Sequence, residues 1–469
     1  MSRSSLSRRD FIRLSCCSAA GAAMATGMGR FGLVNAYAQC NPAAGGYKAL
    51  VCIFLFGGND GNNTLIPVDL TGYNAYLTAR GPSANGGLGL PQGGPTPLLP
   101  INVKTVTSQP YSAYALHPQM PAVQALFNSG QVALVANVGT LVQPTSQQQY
   151  MNRLLPIPSS LFSHSDQQNQ WQTSVRNSAG NSGWAGRAAD MTQCFNPIAK
   201  LPTIVSVAGA NIFATGLATR PAAVNPGQTS AFNGLDNNRS TAMQNLLTLD
   251  SGVSLVQAAS SITGFAFADS NALATALATG TPFNTVFPNT GIGGQLKQVA
   301  QIIQVRSALA INRQIFFCSM GGFDTHNFQL GDQGTLLSQL STAMGAFYNA
   351  TLEMGIGPQV TAFTLSEFGR TLQPSSGFGS DHAWGNHQMV MGGAVHGGDM
   401  YGTYPTLVIA GPNDTGTSGS SRGRWIPSTS LDQYAATLAS WFGVADSDLQ
   451  PYVFPDLVNF NPIKLGFMG

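Results

Sequence analysis

Charge is what this chain has least of: only 9% of its 469 residues are Asp, Glu, Lys or Arg. That scarcity excludes the Lys- and Glu-coated surface common among cytosolic enzymes and leaves Asn, Gln, Ser and Thr to cover the outside. There is no basic tract. The formal net charge of +2 is misleading, because Arg3, Arg8, Arg9, Arg13 and Arg30 face only Asp10 in the first 38 residues. The remainder is slightly acidic, so neither nucleic acid nor an anionic membrane is expected as a partner. No apolar run is long enough to span a bilayer, which excludes a transmembrane segment. Heptads and internal repeats are absent too. Cysteine is sparse. Cys52 and Cys318 sit inside apolar runs and read as inert core residues, whereas Cys40 and Cys194 are able to pair, a point that spacing leaves open.

What is present begins with an address. Ser7-Arg8-Arg9-Asp10-Phe11-Ile12 is a twin-arginine pattern, followed by the weakly apolar LSCCSAAGAAMATGMG and by Ala36-Tyr37-Ala38 before Gln39. Residues 1–38 are therefore expected to be a signal peptide read by the twin-arginine translocase, delivering the protein to the periplasm or the exterior. This route carries folded cargo, often with its cofactor in place.

The mature chain, residues 46–469, alternates buried-looking strands with helices. YKALVCIFLF is a near-continuous apolar run, as expected of a parallel strand covered on both faces. It empties into GGNDGNNTLIP, leaving Asp60, Asn63 and Thr64 at its carboxyl end. The helix PQMPAVQALFNSG, with His117 read as a capping or packing residue before it, leads to the strand QVALVANVG and closes a β-α-β unit. Next comes LFSHSDQQNQWQTSV. There Ser163, His164 and Ser165 precede a helical stretch, where a hydroxyl either caps the helix or sits beside free N–H groups able to steady an anion. Residues 201–288 shift to Ala, Asn, Thr and Gly and read as an inserted cap containing one strand. A second β-α-β unit joins QIFFCSM to TAFTLSE, and helical spacing marks GGQLKQVAQIIQVRSAL before it.

Titratable groups crowd into one segment. Of 6 histidines in the chain, His326, His382, His387 and His396 lie between residues 314 and 399, alongside Asp324, Glu367, Asp381 and Asp399. Asp324 and Glu367 each follow an apolar run of strand length, the position at which an open α/β sheet gathers ligands. Asp324 and His326, two residues apart in an extended segment, are expected to point the same way. Together with Asp60, Glu367, Asp381, His382 and His387 they form a mixed oxygen and nitrogen set able to hold one or two divalent ions, Zn²⁺ or Mn²⁺ rather than a thiolate-bound metal. The plainer alternative pairs Glu367 with Arg370 and leaves the histidines as hydrogen-bond donors.

The twin-arginine leader, FLFGGNDGNNTLIP, LHPQM, SHSDQQ, GWAGR, GGFDTH, SEFGRT and DHAWGNH, in that order, resemble the uncharacterised bacterial family called domain of unknown function 1501, grouped with the alkaline-phosphatase-like superfamily. The resemblance implies a three-layer αβα sandwich with a mostly parallel central sheet. It also implies a two-metal site acting with a Ser, Thr or modified Cys. Asp60 corresponds to the Asp after the first strand, Asp324 and His326 to an Asp-His ligand pair, Glu367 or Asp381-His382 to a later pair, and His387 to the last His. Ser163 stands at the nucleophile's place, with Thr64 as the fallback and Arg370 as a clamp on the ester oxyanion. Asn63, His164 and His396 complete the candidates. Two departures stand out: Asp324 and His326 are closer together than the pattern, and Phe368 follows Glu367 where His is expected. The formylglycine pattern Cys-x-Pro-x-Arg is absent at Cys194, which disfavours arylsulfatase chemistry of that kind. The expectation is an exported metal-dependent hydrolase or transferase acting on small or polymeric phosphate or sulfate esters. The competing expectation is a non-catalytic exported binding or cell-surface protein keeping the fold and one structural metal.

Overall fold

The computed structural model describes residues 46–177, 180–227, 236–249 and 252–469; the expected leader and Cys40 lie outside them. The first apolar run becomes β1 (Lys48–Leu55). After it, β2 (Leu65–Pro67), β3 (Leu99–Ile101) and β4 (Tyr114–Leu116) form a small antiparallel sheet with β4 in the middle. The central sheet takes β1 together with β5 (Val132–Gly139), β6 (Ile204–Ser206), β7 (Ala222–Ala223), β8 (Arg313–Met320), β9 (Val360–Ser366), β10 (Asn386–Gly392), β11 (Asp399–Tyr401) and β12 (Thr429–Ser430). Its order is β11-β5-β10-β9-β1-β8-β6-β7, with β12 added beside β5. Only β10 runs against the rest, antiparallel to β5 and β9.

The pleat explains the three layers. Successive residues of β1 face opposite sides. Ala49, Val51, Ile53 and Leu55 pack with Leu296 of the Gly291–Gln304 helix and Leu337 and Leu340 of the Gln329–Glu353 helix. Leu50, Cys52 and Phe54 pack with Trp184 of the Trp184–Thr192 helix and with Tyr434 and Leu438 of the Leu431–Phe442 helix. Both faces are thus covered by helices, the αβα arrangement expected from the sequence.

Three details differ from the linear reading. β6 and β7 fall within residues 201–288 yet extend the central sheet through β8, so the first part of that stretch is scaffold; the Asn237–Leu247 and Ser254–Leu277 helices follow it. β5 does not lie beside β1, because β9 and β10 separate them. β8 and β9 flank β1 on either side, so the long helix between them crosses over β1. Cys52 and Cys318 are free and buried, as expected, and Cys194 is disulfide-bonded. No helix among the described residues is long and apolar enough to cross a membrane.

Candidate functional site

The topology brings the carboxyl ends of β1, β5, β8 and β9 to one rim, and the reversed β10 begins there. At the end of β1, Gly57 has φ +112°, and a Cβ on it would lie 2.3 Å from the Asp324 amide nitrogen. Glycine is therefore what lets the turn after β1 press against the loop after β8. That loop is not extended as expected: Thr325 N–H donates to Phe323 O and His326 N–H to Asp324 O, two successive tight turns. They still bring Asp324 and His326 together. Arg370, four residues beyond the end of β9, staples the rim. Its guanidinium donates to Gly58 O (2.9 Å), Gly57 O (2.7 Å), Ser380 O (2.6 Å) and the Asp324 carboxylate.

Three imidazoles surround Asp324. His164 Nε2 lies 3.4 Å from its Oδ2, while His326 Nε2 and His382 Nε2 lie 3.1 and 3.2 Å from its Oδ1. His326 Nε2 and His382 Nε2 are 3.0 Å apart. One ligand atom from each of His164, Asp324 and His382 falls within 4.8 Å of the others. The opposite ring nitrogens are spoken for. His382 Nδ1 is 2.8 Å from Phe162 O; a carbonyl only accepts, so Nδ1 donates and Nε2 of the neutral ring carries a lone pair. His164 Nδ1 lies 2.7 Å from Glu367 Oε1, which imposes the same tautomer, whereas His326 Nδ1 lies 3.4 Å from Asp381 Oδ1 and its Nε2 is the donor to His382 Nε2. Burial lowers the His382 pKa, with Arg370 and His164 adding to it against the Phe162 carbonyl and Asp324. The neutral ring is favoured. Burial raises Asp324, but Arg370, His326 and His382 outweigh it and the net shift is downward. Phe368 stacks on His382 at 4.5 Å and fixes its plane.

The expected ligands divide into two groups. Asp324, His326, Asp381, His382 and Glu367 meet at the rim, and His164, a lesser candidate by sequence, joins them. Asp60 does not: buried, it pairs with Arg80, accepts from Gln329 and caps the Gly61–Thr64 turn through Asn62 N–H. A guanidinium already compensates its charge. His387 is fully buried, stacks on Tyr404 at 4.7 Å and accepts from Asn137 N–H at 3.1 Å, and burial pushes its pKa down to about 3. It is a packed core histidine. His396 lies beyond the far end of β10, 3.1 Å from Gly466 O. Thr64 donates to Asp60 O and accepts from Asn59, and Asn63 accepts from Tyr76 and donates to Leu88 O; both are buried framework. Arg370 is not available as an oxyanion clamp, since three carbonyls and Asp324 fill its nitrogens, and it does not pair with Glu367. His117 Nδ1 accepts from Gln119 N–H at 3.1 Å, the local packing role expected of it.

Ser163 is the N-cap of the His164–Thr173 helix, but its side chain does not cap: its hydroxyl donates to Asp166 at 2.5 Å. Asp166, Gln168, which donates to Glu367 at 3.1 Å, and Arg422, 3.3 Å from Asp381, were not singled out by sequence. The signal for the first two lay in SHSDQQ, whose helical spacing sets Asp166 under Ser163 and Gln168 one turn beyond His164.

The donor set fits a metal. His164, Asp324 and His382 supply two imidazole nitrogens and a carboxylate within reach of one ion, an N₂O set of the kind that holds Zn²⁺, with His326 Nε2 3.0 Å from His382 Nε2 beside it. His164 and His382 are each oriented through the other nitrogen by an acceptor, the second tier that such ligands require. Glu367 is fully buried and its Oε2 has no hydrogen-bond partner, which is unusual for a carboxylate outside a charged or metal-bearing site. Asp60 and His387 being spent elsewhere, the ligands gather around Asp324 alone, which favours one ion over two.

Among curated proteins none matches this chain. Solved structures similar to it include the lipoteichoic acid synthase LtaP from Listeria monocytogenes (7% identity, TM-score 0.34, covering 82% of this chain and 75% of that one). The sulfatase PsFucS1 from Pseudoalteromonas sp. is similar at 10% identity and TM-score 0.29, over 79% and 67% of the two chains. A mutant form of the alkaline phosphatase PafA is similar at 11% identity and TM-score 0.28, over 72% and 65%. The family model described as protein of unknown function (DUF1501) matches residues 47–414, and the chain belongs to that family.

Proposed function

We propose that this protein is an exported metal-dependent hydrolase of phosphate or sulfate esters. The observation that carries the reading is the convergence of three Nε2 atoms, from His164, His326 and His382, on the half-exposed carboxylate of Asp324. The metal, Zn²⁺ or Mn²⁺, supplies Lewis-acid polarisation of the ester when bound. Beside it stands Ser163, between Phe162, whose carbonyl holds His382, and His164. In this reading the Ser163 oxygen forms a bond to phosphorus or sulfur as the bond to the leaving alkoxide breaks. Its proton passes to Asp166, 2.5 Å away, and from there to the departing oxygen, which leaves as the alcohol. Water then releases the acid and restores the hydroxyl. The N-terminus of the His164–Thr173 helix favours the anionic group there, while Arg370 serves by fixing Asp324 rather than by touching substrate.

The test combines metal analysis of purified mature protein with a panel of phosphate monoesters, phosphodiesters and sulfate esters. About one equivalent of metal and turnover of one ester class are expected. Ser163→Ala should retain the metal and lose at least ~10³-fold in kcat, the scale seen when a nucleophile is removed; His382→Ala should lose both. Full metal occupancy with no ester turned over would instead favour a binding protein, and a Ser163→Ala variant that turns over normally would displace the serine while leaving the metal centre standing.

A further inference from the structure

A second cluster of acidic groups lies apart from the histidines. A small cavity half open to solvent is lined by Thr140 just past the end of β5, by Gln170 and Ser174 at the end of the His164–Thr173 helix, by Asp432 at the start of the Leu431–Phe442 helix, and by Asp456 in the Pro455–Asn459 turn. The space in which a water-sized sphere can be centred is about 20 Å³, room for one or two such occupants. Asp432 is 5% exposed. Its Oδ1 receives the Ser174 hydroxyl at 2.5 Å, while its Oδ2 has no partner. Asp456, half-buried, has no hydrogen bond to its carboxylate among the described residues.

The neighbouring cations do not resolve this. Arg187 faces Asp432 but spends its nitrogens on Ser182 O, Thr173 O and Val453 O. Arg176, on the exposed side of the cavity, faces Asp456. Burial pushes the Asp432 carboxyl up to about 7, with Asp456 adding to the rise and Ser174 and Arg187 opposing it. A buried carboxylate with a vacant oxygen needs either a proton or a cation. Apart from the Arg176 guanidinium at the exposed side, the polar side chains on the walls are carboxylates, hydroxyls and one amide, with no imidazole or thiolate. That chemistry selects a hard ion over a transition metal.

We infer that this cavity is a binding site for a small hard cation of the Ca²⁺ class, held by Asp432 and Asp456 and joining the Leu431–Phe442 helix to the C-terminal turn. The site is independent of the rim histidines, so it stands or falls separately from the ester-hydrolase reading. Above neutral pH the cation replaces the proton of Asp432; below it the proton wins.

The test is thermal unfolding of the chelator-treated mature protein at pH 8, with CaCl₂ or an equal ionic strength of NaCl, and with Tb³⁺ luminescence as a direct probe. The expected result is a Ca²⁺-specific rise in Tm of several degrees that shrinks at pH 6, and Tb³⁺ emission quenched by competing Ca²⁺. Asp456→Asn, which alters the less buried carboxylate and spares the core, should weaken Ca²⁺ by at least tenfold in the Tb³⁺ competition. Asp432→Asn should abolish the response. Before chelator treatment, the metal content of the histidine centre should be the same in all three proteins. No Ca²⁺-specific shift, or an equal shift and equal Tb³⁺ affinity in Asp456→Asn, would overturn the assignment.

Discussion

Two carboxylates near the rim, Asp60 and Asp324, meet arginines in opposite ways. Asp324 accepts from Arg370 and still presents half its side chain to solvent and three imidazoles. Asp60 is wholly enclosed with Arg80, so the pair is structural. A buried ion pair broken on one side leaves an uncompensated charge, which costs about 3–5 kcal/mol. Arg80→Met should accordingly lower unfolding stability by that amount in urea titration while leaving metal stoichiometry unchanged. Loss of metal at full retention of the fold would return Asp60 to the ligand set. His387 makes the same point: its type and motif suit a ligand, but Tyr404 and the Asn137 amide have taken its ring face and its Nδ1.

Among elements, the turn after β1 matters most for the site. Gly57 and Gly58 both have positive φ, and a side chain on Gly57 would meet the backbone of the loop carrying Asp324 rather than a movable group. Gly57→Ala should therefore destabilise by about 1–3 kcal/mol from backbone strain alone, with a further loss as the loop is displaced. Urea midpoint and bound metal should fall together in this variant. Retained metal at lowered stability would show that the loop tolerates the shift. The other decisive element is β10. Its reversal puts residues 381–387 at the same rim as the ends of β8 and β9, a placement that alternation of apolar residues in NHQMVMG does not specify.

For the molecule as a whole, acid stability follows from three buried groups. Burial lowers His387 to about 3 and His117 to about 4, both from 6.5, so these rings stay neutral in the fold but protonate in the unfolded chain. Their contribution is full above pH 6.5 and is lost as pH falls below it. Asp432 is raised from 3.8 to about 7, so between those limits the fold holds a proton the unfolded chain lacks, and this contribution grows as pH falls. From pH 6 to 5 the unfolded state binds about one proton more than the fold in this set, so stability should drop by about 1.4 kcal/mol per pH unit from these groups. Asp432→Asn should roughly double that slope in chelator-containing urea titrations; an unchanged slope would mean Asp432 titrates normally.

The sequence by itself determined the layered α/β class, because runs such as KALVCIFL are apolar on both pleat faces and helical periods separate them. It also gathered Asp324, His326, Glu367, Asp381 and His382 into one segment, with Asp324 and Glu367 at strand ends, and they do meet at the rim. Only the tertiary structure decided which of the other polar groups face the same space. Arg80 lies on a helix 20 residues past Asp60, and no local pattern says that it folds back to neutralise it. His164 comes from a helix after a long loop, and nothing in SHSDQQ says that its ring reaches Glu367 203 residues away. Local periodicity fixes what a segment becomes, since it depends on neighbours one turn or one pleat apart; the partner of a buried charge is set by packing between segments distant in the chain.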